Sequence, residues 1–210
     1  MIVLPTLFHQ ARKHIQDSIP YVVHGQQRVR RMPREYKDNP TPAQLLNRQR
    51  IKTLTALYRS LIPVLQRGYP ERPRTYSILN AFNHANNPHA FNTIQGVAVL
   101  DYSKLRIATG TIPLVRFERV HHVAGNAYAV RLRYSVTISA ASEQHTVTLV
   151  AVNHDTRATA TATAPLQQRT DMVIFMPYDA PAAITLYAYV LSGSGSKASD
   201  STAYTDYYSL

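Results

Sequence analysis

The chain has 210 residues, 45% hydrophobic and 17% charged, with no cysteine and a formal net charge of +11. It can bury one ample core or two small ones, and it excludes disulfides, thiolate metal sites and thiol nucleophiles. The charge is uneven: residues 1–80 carry 14 Lys and Arg against 4 Asp and Glu, residues 81–210 carry 9 against 8, which points to an acidic partner for the N-terminal part.

Residues 1–40 read as a basic extended arm. Pro5, Pro20, Pro33 and Pro40 interrupt it, and it has no sustained periodicity. Tyr21-Val22-Val23 and Arg28-Val29-Arg30 suit short strands on either side of a turn at Gly25. The apolar start, Ile2, Val3, Leu4, Leu7 and Phe8, contains proline and is followed by Arg12 and Lys13, the reverse of a signal peptide's order, so an unprocessed N-terminus is expected. No internal backbone pairing is expected, so contacts outside the arm should order it.

Residues 41–92 read as a helical segment. Thr41 is a good N-cap, Pro42 suits the first helical position and Gln44 completes a capping box. Leu46, Leu54, Leu57, Leu61 and Leu65 recur at helical steps, and Ile51, Tyr58 and Ile62 widen the stripe. Pro63 should kink or end the helix near Ser60, because it removes a hydrogen bond and crowds the preceding turn. Gly68 with Pro70 closes the segment, and a shorter helix follows from about Ser77 to Asn83.

Residues 93–210 change to strand periodicity. Strands are predicted over 95–101, 105–109, 128–139, 146–153, 172–176 and 183–191, with 158–164 as a small-residue edge strand. Val130 to Ile138 alternates strictly between apolar and polar, as a half-buried antiparallel strand does. The expected fold is therefore α+β: a basic arm and helices, then an antiparallel β-sandwich of immunoglobulin or fibronectin type III kind.

Chemistry is sparse. His121 and His122 are adjacent and point to opposite faces of a strand, while His145 and His154 fall at strand ends, so no metal is expected. No carboxylate pair, nucleotide loop or nucleophile motif occurs; no cofactor and no catalytic residue are expected. The basic residues form the better constellation. Arg28, Arg30, Arg31, Arg34 and Lys37 cluster in the arm, and Arg48, Lys52 and Arg59 share the helix face opposite its leucines. These eight are the candidate polyanion or partner-binding set.

Arg31-Met32-Pro33, then Thr41-x-x-Gln44-x-x-x-Arg48, Gly68 and the tail Ser199 to Tyr204 resemble an uncharacterised protein family of Bacteroidota genomes. This chain departs from it in having no tryptophan. The resemblance implies a β-rich C-terminal half and supplies no catalytic residue. The expected function is non-enzymatic: a structural or assembly protein, a phage virion component, whose N-terminal part engages neighbouring subunits or nucleic acid non-specifically. Copies of itself are expected partners, in a virion or the cytoplasm. An adhesin-like sandwich and a cytoplasmic nucleic-acid-binding accessory protein are the alternatives.

Overall fold

A computed structural model describes residues 18–23, 25–31, 38–123, 127–139, 144–176 and 183–206. The chain divides into two compact units, Met1–Thr41 and Pro42–Leu210. In the first, β1 (Ser18–Val23) pairs antiparallel with β2 (Gln26–Arg31) across a turn in which Gly25 has φ +77°. Glycine reaches that conformation at little steric cost. The two strands expected around Gly25 are present, but the arm does pair its own backbone: the two strands close into a hairpin despite Pro20.

The second unit opens with α1 (Pro42–Gly68) and α2 (Ile78–Asn86), the latter capped by the Ser77 side chain on Asn80 N–H. The helix α1 does not end near Ser60; it runs through Pro63 to Gly68. The carbonyl that loses its helical donor to Pro63 is that of Arg59. One residue further on, Thr159 Oγ1 donates to the Ser60 carbonyl at 3.3 Å and ties the helix to the strand that holds Thr159. Next come a short ribbon, β3 (Phe91–Ile94) with β4 (Val97–Leu100), turning at Gln95-Gly96 with φ of +48° and +78°, and a single 3-10 turn at Tyr102–Lys104.

The sandwich comprises β5 (Val115–Val123), β6 (Ala127–Tyr134), β7 (Thr146–Asn153), β8 (Thr159–Pro165), β9 (Arg169–Phe175), β10 (Ile184–Leu191) and β11 (Thr202–Asp206). One sheet has the order β5-β6-β9, the other β11-β10-β7-β8. This is an antiparallel sandwich of the immunoglobulin and fibronectin type III kind, with β8 an edge strand as its Ala/Thr alternation suggested. Between the sheets lie Val130, Leu132, Leu149, Ile174, Leu186 and Val190, among others.

The helices are not separate from this sandwich. Leu54, Leu57, Leu61, Leu65 and Phe82 share one core with Val150, Val152, Tyr187 and Tyr189 on the other face of the four-stranded sheet. Consequently all of β10, and β7 from Val147 onward, are buried on both faces. Apart from Thr41, segments 41–92 and 93–210, read separately from the sequence, lie in one compact unit.

Two expected strands differ. Residues 105–109 are no strand, although Leu105, Ile107 and Ala108 are buried. Side chains take the place of a ladder: Asn86 bonds both polar groups of the Arg106 backbone, and Ser201 Oγ accepts from Ile107 N–H. The strand expected over 128–139 stops at Tyr134, because its neighbours supply their last partners at Val115 and Arg169.

Candidate functional site

Arg28, Arg30 and Arg31 are exposed on β2. Strand alternation puts Arg28 and Arg30 on one face and Arg31 on the other. Arg28 Nη2 donates to Gln26 Oε1 at 3.3 Å, and the Arg30 guanidinium lies 5.9 Å from the centre of the Tyr21 ring. Arg34 and Lys37 lie outside the described residues.

Arg48, Lys52 and Arg59 are exposed along α1, on the side away from buried Leu54, Leu57 and Leu61, as their spacing implies. The first three turns of that helix are largely exposed, Leu45 (46%) and Ile51 (40%) included. They are tied down by polar contacts: Asn87 Nδ2 donates to Asn47 Oδ1 at 2.8 Å, and Arg50 Nη2 to Thr93 Oγ1 at 3.4 Å. The structure thus brings Arg28, Arg30 and Arg31 together on one ribbon, and Arg48, Lys52 and Arg59 together on one helix.

Sequence reading missed a second basic surface. On the outer face of β5-β6-β9, Arg116 opposes Arg133, which opposes Arg169, and in the next row Arg119 opposes Arg131, which opposes Asp171. The last two form a bidentate pair, Nε to Oδ1 at 2.7 Å and Nη2 to Oδ2 at 3.0 Å. That bond holds the Asp171 carboxyl below its ordinary range. Arg169 Nη2 meets Glu118 Oε1 at 3.2 Å. A shallow groove of about 320 Å³ between Arg119, His121, Asp171 and Val173 runs along the face. The signal was present in Val130-Arg131-Leu132-Arg133-Tyr134, where both water-facing positions are arginine; the partners on β5 and β9 depend on register.

Among the described residues, no three His, Asp or Glu come together as metal ligands, and no helix is long and apolar enough to cross a membrane. No protein-family model and no curated protein matches the chain. Among solved structures, the alpha chain of the chicken interferon gamma receptor is similar at 9% identity and a TM-score of 0.38. That match covers 54% of this chain and 56% of the receptor chain.

Proposed function

We propose that the protein is a non-enzymatic assembly module whose basic N-terminal part engages neighbouring subunits or nucleic acid. The observation behind this is the β1-β2 ribbon: residues 18–31 include three exposed arginines and no acidic residue. A two-stranded ribbon by itself is marginal in water, and like charges held close together weaken it further. Whatever neutralises Arg28, Arg30 and Arg31 therefore stabilises the ribbon as well as binding it. Viral structural proteins often join a basic N-terminal segment to a β-sandwich, and the finer reading, a phage virion component working as copies of itself, rests on that analogy of layout.

The test uses the full chain. Light scattering is expected to give an oligomer. A labelled oligonucleotide should bind with an affinity that falls steeply with salt, since each neutralised phosphate releases counterions. Replacing Arg28, Arg30 and Arg31 with Gln should weaken binding to all sequences alike. A monomer that binds neither DNA nor RNA at low salt overturns the reading.

A further inference from the structure

The three-stranded sheet carries a charge arrangement that its packing does not require. Arg116, Arg133 and Arg169 are successive register partners, so three guanidinium side chains stand in one row on the exposed face. Like charges directly opposite one another destabilise a strand pair. Counter-charge is partial. Asp171 serves Arg131 and Glu118 serves Arg169, whereas among the described residues Arg116, Arg119 and Arg133 have no ion-pair partner.

A bulge in β5 builds the second row. The register steps from Phe117↔Leu132 to Arg119↔Arg131, leaving Glu118 as the extra residue. Strict alternation from Arg116 would have turned Arg119 toward the core with Phe117. Instead Phe117 and Val120 pack against the core, and Arg119 joins the outer face opposite Arg131. A bulge gives up regular ladder pairing and re-aims a side chain, which is its usual use beside a binding site.

The face extends about 20 Å from the Arg169 row to the Phe175 row, six residues along β9 at the ordinary strand rise. At its far end Phe175 is 70% exposed, beside Val173. An open, nearly flat face with arginines at one end and an uncovered aromatic at the other suits an extended strand with both phosphates and bases. Guanidinium groups match phosphate oxygens, and a ring stacks with any base.

We infer that the outer face of β5-β6-β9 binds single-stranded nucleic acid, with Arg116, Arg119 and Arg133 taking phosphates and Phe175 stacking a base. This goes beyond the N-terminal reading, because every residue involved lies on the sandwich. The experiment measures binding of the full chain to a fluorescein-labelled 20-nucleotide oligo-dT and, separately, to inorganic polyphosphate. Arg116→Gln with Arg133→Gln should lower oligo-dT affinity by roughly tenfold and reduce the slope of log K against log salt by about 1.4, two single-strand phosphates' worth. The melting temperature of that variant should stay level or rise, since a like-charge row is relieved, so lost binding is not unfolding. Phe175→Ala should weaken oligo-dT by about fivefold or more and leave polyphosphate unchanged.

Unchanged affinity and slope in the double arginine variant overturn the inference, and they leave the N-terminal reading standing if Arg28, Arg30 and Arg31→Gln abolishes binding. Equal behaviour of Phe175→Ala toward both ligands also overturns it, in favour of a polyanion without bases. Acidic vesicles or a duplex outcompeting oligo-dT would do the same.

Discussion

The imidazole of His154 lies flat on the ring of Tyr102, centroids 3.8 Å apart and planes 8° from parallel. Its Nε2 is 2.8 Å from Thr185 Oγ1, which is in turn 2.9 Å from Thr205 Oγ1. Such a pair looks like a base and a hydroxyl nucleophile, but Thr185 is fully buried. We read the contact as a tie between the turn after β7 and strands β10 and β11.

Burial pushes the His154 imidazole below its ordinary value of 6.5, against an opposing pull from Asp155. The fold therefore favours the neutral ring. Above that ordinary value neither state is protonated and the contribution to stability is complete; as pH falls below it the unfolded chain takes the proton first and stability declines. Urea unfolding at pH 7.5 and pH 5 should show this decline, and His154→Phe, which keeps a stacked ring without a proton, should flatten it. Parallel pH profiles for the two proteins would remove His154 from the account.

Asn86 is fully buried and closes a clamp on Arg106: Nδ2 donates to the Arg106 carbonyl at 2.9 Å and Oδ1 accepts its N–H at 2.7 Å. The Tyr69 hydroxyl donates to the same carbonyl at 2.7 Å. Asn86→Leu fills similar space but leaves the Arg106 N–H without this acceptor, at an expected cost of about 1–3 kcal/mol. Chemical denaturation of the full chain measures it. A loss below about half a kcal/mol would show that water replaces the clamp.

Gly110 and Gly68 mark close backbone approaches. A Cβ on Gly110 would sit 2.2 Å from the Ala198 carbonyl oxygen and 2.7 Å from Glu71 Oε1, and on Gly68 2.3 Å from the Ile107 carbonyl oxygen. Backbone cannot yield as a flexible side chain can, so Gly68→Ala and Gly110→Ala should each destabilise by about 1–3 kcal/mol or more. Gly25→Ala meets nothing within 4 Å; its cost is confined to φ +77° on the ribbon. Melting temperatures that rank Gly25→Ala as the most damaging of the three would contradict this.

Residues 93–210 expressed alone should fold poorly, if at all. Without α1 and α2, fully buried Val150, Val152, Tyr187 and Tyr189 would lose the leucines and Phe82 that share their core and keep only the cover of residues such as Leu105 and Ile107. Each such side chain contributes about 1.5–3 kcal/mol on burial, against a whole-domain stability of about 5–15 kcal/mol. Circular dichroism and thermal melting of that fragment beside residues 42–210 make the comparison. A cooperative transition of equal midpoint in both would restore the sandwich as an independent domain.

The sequence by itself determined the local elements. Thr41-Pro42 begins α1, a shorter helix follows near Ser77, and alternation in Val130 to Tyr134 makes a strand with one wet face; each signal is carried by neighbours a few residues apart. Pro63 was misleading because its effect on the helix is local while the packing that overrides it is not. The burial of β10 on both faces, and of most of β7, was decided by the tertiary structure, since the second face is covered by helices arriving from residues 42–86 together with Phe91, Leu105 and Ile107. The candidate basic sheet face arose in the same way. Residues 81–210 are almost neutral as a composition, yet five of their arginines reach one surface because strand register and the bulge at Glu118 align residues up to 53 positions apart. Charge counted along a chain averages over such distances, whereas antiparallel pairing sets partners about 5 Å apart.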